Sequence, residues 1–365
     1  MYLPDHGANP YTLYEQLNMK KPDRLIDLSE NVNALGQPDG MEKVWQRLFS
    51  TIGAYPHMEG EPLRSELAQM HHVLREHVVV TNGAAEGLMA IAQLLKGREA
   101  IVLEPSFSEY KRTLRTHGVN VQSLIVDQIC DYSIPFYQLE QLLTPNHALY
   151  ICNPNNPTGV CQTADTMQRL IDLTKRKGAL LIVDEAFMDF TEEASSVVGD
   201  VMKHPHLIVL RSMTKMYALA GVRLGYIVSQ YAQDLAKLLP HWSVSGVAIE
   251  LGRFCIQQKE FVAKSRMFSN QQRAMMRSFL IEKGATVSNS AVNFISFKPP
   301  FETAPFYRYL LERGVVTRHS ENFLGLDGEW LRIGMKSEEA LQALQEGWLQ
   351  YENNILYSSR SNRVE

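Results

Sequence analysis

The stretch ALLIVDE, residues 179–185, sets an unbroken apolar run ahead of two carboxylates. Continuous rather than alternating apolarity marks a strand covered on both faces, as in a parallel sheet packed between helices. The surrounding sequence repeats the theme. HVVVT (77–81), AIVLE (100–104), ALYIC (148–152), LIVLR (207–211) and LGYIV (224–228) are further short apolar runs. Segments with helical apolar spacing, AAEGLMAIAQLL and TMQRLIDLTKRKG, lie between them, the second closing on a glycine where a helix can end. This alternation predicts an α/β fold with a largely parallel sheet between helical layers.

Beyond about residue 275 the pattern changes. ATVSNSAVNFISFK, APFYRYLLERGVVTRH and WLRIGMKSEEALQALQEGWLQ predict strand, helix, strand, strand, helix, a separate α+β unit. Residues 1–35 are too short to fold alone and are expected to pack on it. The expected organisation is a large unit over residues 36–275 and a small unit made of 1–35 with 276–365.

Bulk properties narrow the function classes. With 45% hydrophobic and 21% charged residues over 365 positions, the composition is that of an ordinary soluble protein. A net charge of −4 leaves no global positive field for nucleic acid or anionic lipid. Cys130, Cys152, Cys161 and Cys255 form no C-x-x-C pair and no zinc-like spacing with histidine, so a reduced protein without structural metal is expected. The first residues, MYLPDHGANPYTLYEQ, lack the basic start and apolar run of a signal peptide, and no run is long enough to span a membrane. A cytoplasmic location is the expectation.

Four stretches carry candidate chemistry, three of them following predicted strands, where open α/β sheets gather their ligands. TNGAAEG (81–87) leads into a helix whose free N–H groups favour an anion, although small residues are common at any such turn. It lacks the G-K-[ST] of a Walker loop, and no G-x-G-x-x-G occurs at this turn. NPNNPTG (153–159) is a rigid turn bearing amide side chains, or a turn alone. VDEAFMDF (183–190) puts Asp184 and Glu185 at a strand end, where a carboxylate is either partnered or exposed. RSMTKMYALAGVRLGY (211–226) sets Lys215 in a mostly apolar run; such a lysine is either solvated or a reactive amine.

In this order, the four stretches resemble the class I/II aminotransferase family, enzymes of the pyridoxal 5'-phosphate-dependent type I fold, over roughly residues 25–340. The resemblance implies a large domain with a mostly parallel seven-stranded sheet plus a small α+β domain. It implies that Lys215 forms the Schiff base with the cofactor aldehyde. Ser212, Arg223 and the backbone N–H groups of Ala84 and Ala85 would hold the cofactor phosphate, and Asp184 would pair with the pyridine nitrogen. Asn156 matches the amide on the ring's phenolic oxygen, and Phe107, in EPSFSEY, the stacking aromatic; an aromatic after a strand is otherwise plain core. Tyr55 matches a tyrosine that reaches the neighbouring subunit's cofactor phosphate, implying a homodimer with shared active sites. Arg332, in WLRIG, matches the arginine that holds the substrate α-carboxylate, and is otherwise a surface ion pair.

Two branches of the family are similar: histidinol-phosphate aminotransferases and L-threonine-O-3-phosphate decarboxylases of the cobalamin pathway. HGAN with DLSENVNALG (27–36), RSMTKMYALAG, HWSVS (241–245) and Phe187 resemble the decarboxylases more. In that branch His6, Asn31 and Arg318 would gather around a substrate phosphate. Ala34, Ser245 and Lys336 depart from its pattern. The expected activity is therefore decarboxylation of phosphothreonine or a similar phosphorylated amino acid, the alternative being amino-group transfer to 2-oxoglutarate. A third alternative is a cofactor-binding regulator, since this fold also occurs fused to helix-turn-helix domains; residues 1–35 are too few to hold one.

Overall fold

The computed structural model describes residues 3, 7, 9–191 and 195–361. Its largest sheet has seven strands, in the spatial order Val78–Thr81, Gly225–Ser229, Leu207–Ser212, Leu180–Asp184, His147–Cys152, Glu99–Glu104 and Asn120–Ile125. Only Gly225–Ser229 runs against its neighbours. Leu180–Asp184 is buried along its whole length, as its continuous apolarity requires. Asn120–Ile125 was not among the apolar runs. It is an edge strand, with Gln122 and Asn120 on it and the outermost residue Ile125 exposed, so it lacks the two-faced apolar signature.

Helices cover both faces. Ala164–Lys177 shows why they form where they do: the Thr163 side chain accepts from the Thr166 N–H, and Met167, Leu170 and Ile171 face the core. Lys175, Arg176 and Lys177 oppose the negative helix end, and Gly178, at φ 67°, terminates it.

A second core collects Leu13, Tyr14 and Leu28 with Met276, Ile295, Phe306 and Trp348. Its antiparallel sheet has the order Arg318–His319, Leu331–Gly334, Phe294–Lys298, Thr286–Val287. The early chain is tied in by Ile26–Asp27 pairing with Val315–Val316 and by the Tyr14 hydroxyl donating to the Leu311 carbonyl at 2.6 Å. Each large apolar side chain fully buried there contributes about 1.5–3 kcal/mol. One helix, Lys259–Glu282, carries the chain past residue 275 and delivers Met276 and Leu280 to this core.

The result for function is positional. Residues 29–33 and the strand Leu331–Gly334, both anchored on the second core, lie over the carboxyl ends of the parallel strands.

Candidate active site

Between the two cores lies a cavity of about 310 Å³. The structure brings Ala84, Ala85, Phe107, Asn156, Asp184, Ser212, Lys215, Arg223, Asn31, Arg318 and Arg332 to its walls.

One end is built to receive an anion. The helix Gly83–Leu94 starts there, the side chain of Asn82 leaves its first N–H groups uncapped, and Ala84 and Ala85 line the space in front of them. Gly83 sits at φ +74°, and a Cβ on it would come within 2.7 Å of the Arg223 guanidinium. Arg223 is steered inward by its own left-handed backbone, φ 62°, and one nitrogen donates to the Ala220 carbonyl at 3.0 Å. Ser212, the last residue of its strand, shares a 2.8 Å hydroxyl contact with Thr214.

The floor is Asp184, at the last position of the central strand. Burial pushes its carboxyl up, while a 2.5 Å hydrogen bond from Tyr110 and a 2.9 Å bond from the Ala186 N–H favour the ionised form. Glu185 turns elsewhere: it is buried against Arg211 at 2.9 Å and accepts from Ser196 and the Val197 N–H. Both carboxylates are thus partnered, and only Asp184 lines the cavity.

Lys215 enters from the turn after Ser212. Its amine is lowered from 10.5 to about 8, first by burial and then by the positive charges of Arg332 and Arg223. A substantial share is therefore neutral and nucleophilic just above neutral pH.

Two buried arginines also line the cavity, Arg318 lying directly opposite Arg332 on the adjacent strand. Arg332 donates to the Asn156 side-chain oxygen and, at 2.8 Å, to the Ser29 carbonyl, while its Nε has no partner. Burial and the neighbouring Arg318 pull its guanidinium down to about 9. Arg318 donates to the His319 carbonyl at 2.8 Å and to Asn322 at 2.6 Å, and it faces the Phe323 ring. Asn31 is buried beside them with its side-chain oxygen unpartnered. Lys336 does not point into the lining; it pairs at 2.7 Å with Glu30, which does.

Tyr55 lies outside this cavity, 85% exposed, in ring contact with Trp242. His6 falls outside the described residues. Phe187, buried edge-on to Phe294, contributes no hydroxyl. Among the described residues, no group of His, Cys, Asp and Glu could hold a metal ion, and no helix is long and apolar enough to cross a membrane. Sequence reasoning missed Tyr110. Its only signal is its place three residues after Phe107, where it reads as core; in the fold its ring stands edge-on to Phe107 and its hydroxyl reaches Asp184.

A bare helix start facing an arginine, a depressed amine and a buried carboxylate with donors of its own suit pyridoxal 5'-phosphate, which carries a phosphate, an aldehyde and a basic ring nitrogen. The model of the family described as aminotransferase class I and II matches residues 23–346. The chain belongs to this family. It is an enzyme, its cofactor is pyridoxal 5'-phosphate, and its fold is that of the aspartate aminotransferases. Among curated relatives, a threonine-phosphate decarboxylase of Salmonella typhimurium is 30% identical over 93% of this chain and 95% of that protein. A histidinol-phosphate aminotransferase of Methanococcus aeolicus is 27% identical over 87% of each. Among solved structures, the histidinol-phosphate aminotransferase of Clostridium acetobutylicum superposes with a TM-score of 0.85 at 25% identity, covering 90% of this chain and all of that one. Members of the family act on amino acids.

Proposed function

We propose that this enzyme decarboxylates an O-phosphorylated amino acid, L-threonine O-3-phosphate or a close analogue. The observation that carries the reading is the pair Arg318 and Arg332, both buried, both in the cavity wall and directly opposite each other on adjacent strands. Two buried guanidiniums repel each other, and a ligand with two anionic groups relieves that cost. Phosphothreonine has a carboxylate and a phosphate. The 30% identical decarboxylase supports the same substrate class.

When bound, the cofactor supplies an electron-accepting ring conjugated to the substrate nitrogen. The chain's own residues do the rest. Ser212, Arg223 and the N–H groups of Ala84 and Ala85 hold its phosphate. Asp184 keeps a proton on the ring nitrogen, Asn156 donates to the phenolic oxygen, and Phe107 stacks on the ring. Arg332, steadied by Ser29 and Asn156, grips the α-carboxylate. Arg318 and Asn31 would receive the substrate phosphate. With both anions fixed, Arg332 and Arg318 would orient the substrate's Cα–carboxylate bond for cleavage, the bound cofactor being the group that would accept the electron pair as carbon dioxide leaves. Lys215 Nζ, first the amine that binds the cofactor, then delivers a proton to Cα.

Tyr55, together with the exposed Trp45, Phe49 and Ile52, supports a homodimer in which Tyr55 reaches the partner's cofactor phosphate. The composition favours a cytoplasmic enzyme.

Amino-group transfer is the second reading, favoured by the histidinol-phosphate aminotransferase relatives and by the fact that 2-oxoglutarate also carries two anions. Incubation of the purified holoenzyme with phosphothreonine, with and without 2-oxoglutarate, separates the two. Decarboxylation predicts stoichiometric carbon dioxide without acceptor. A strict acceptor requirement with no gas released contradicts it.

A further inference from the structure

The segment DLSENVNALG passes over the cavity and supplies Ser29, Glu30, Asn31 and Val32 to its lining, but not Asn33. Asn33 turns the other way. It is 4% exposed, and each of its polar groups is used. Its N–H donates to the Lys215 carbonyl at 3.1 Å. Its side-chain amide donates to the Met216 carbonyl at 2.8 Å and to the Ser265 hydroxyl at 2.7 Å. Its side-chain oxygen accepts from the Leu35 N–H at 3.1 Å, which fixes which end of the amide is which. Ser265 is fully buried on the helix Lys259–Glu282.

One side chain therefore joins three pieces of chain distant in sequence. These are the substrate-facing segment, the turn bearing Lys215, and the helix leading to the second core. We infer that Asn33 is a positioning residue for Lys215, clamping two successive carbonyls of its turn. The inference rests on Lys215 being the amine that binds the cofactor. The physical reason is that the Lys215 turn is not part of a strand or helix, so no ladder holds its carbonyls. Asn33 instead fixes the depth at which the amine sits, and with it the burial that depresses the amine. The same residue is one peptide from Val32 and two from Asn31, so the amine and the substrate end of the cavity are held in a common frame. A misplacement of an ångström between reacting groups costs about a hundredfold in rate.

Asn33→Ser keeps an oxygen that can cap the Leu35 N–H but is too short to reach the Met216 carbonyl; Asn33→Asp keeps the length and puts an acceptor where a donor is needed. For both variants, the pH profile of Lys215 acylation would be measured on cofactor-free protein by peptide mapping, alongside steady-state kinetics and the thermal midpoint. The expected result is a labelling midpoint raised by about half a pH unit or more, as the amine gains water. The same variants should lose about tenfold in kcat with KM within about twofold, because the substrate clamps are untouched. A variant that folds, labels with the wild-type profile and turns over within about twofold of wild type overturns the inference. If both variants unfold, the labelling midpoint in Ser265→Ala, which loosens the same clamp from its far side, must rise; an unchanged midpoint there also overturns it. Lys215→Ala run in parallel keeps the two levels apart. Turnover surviving in that variant removes the assignment of Lys215 itself, whereas an inactive Lys215→Ala with normal Asn33 variants removes only the clamp.

Discussion

Lys215 is a base made by its surroundings. Burial comes first, and Arg332 and Arg223 add repulsion, so its native value is about 8 against 10.5 for an ordinary lysine. The sign of the consequence follows from linkage. Between those values the unfolded chain holds a proton that the native amine has lost, so native stability from this group rises with pH and is level below about 8. The thermal midpoint of cofactor-free protein should therefore climb from pH 8 to 10.5 more steeply in wild type than in Lys215→Met. Equal slopes would show that the amine is solvated. Lys215, Asp184, Asn156 and Arg223 were legible because each sits in a stretch whose order and spacing carry the family resemblance. Tyr110 and Asn33 were not, because a hydrophobic-looking aromatic and one asparagine in a polar segment show their partners only after distant chain segments are brought together.

Elements decide where those side chains point. Parallel strands end together, so Cys152, Asp184 and Ser212 reach one edge of the sheet although they lie far apart in sequence. Gly225 matters at this scale, since a Cβ there would meet the Ala84 nitrogen at 2.8 Å where the helix start crosses the neighbouring strand. Gly83 matters for the anion. Replacing it by alanine forces a left-handed backbone costing about 1–2 kcal/mol and drives a methyl group against Arg223. Gly83→Ala should weaken cofactor retention by about tenfold or more, read by equilibrium dialysis, while the sheet stays intact by circular dichroism. Unchanged retention would mean that the phosphate binds elsewhere. The apolar strands, Val78–Thr81 at one edge of the sheet included, were readable from continuous apolarity, but Asn120–Ile125 at the other edge was not, because Asn120, Gln122 and Ser123 interrupt its run.

At the scale of the whole molecule, two cores meet over one cavity, and each contributes what the other lacks. The large sheet supplies the residues proposed to hold the cofactor, while the second core supplies Arg318, Arg332 and the segment with Asn31. The change of texture near residue 275 was visible in the sequence, whereas the helix Lys259–Glu282 that runs through it shows only in three dimensions. The exposed apolar side chains from Trp45 to Met58 predict a dimer, which sedimentation should report at twice the 41.5 kDa chain mass. A monomer would deprive Tyr55 of its proposed role. The most direct test of the account is borohydride reduction of the cofactor-loaded protein followed by peptide mapping. A pyridoxyl group on Lys215 alone is the expected result, and a label on another lysine, or none at all, would contradict it.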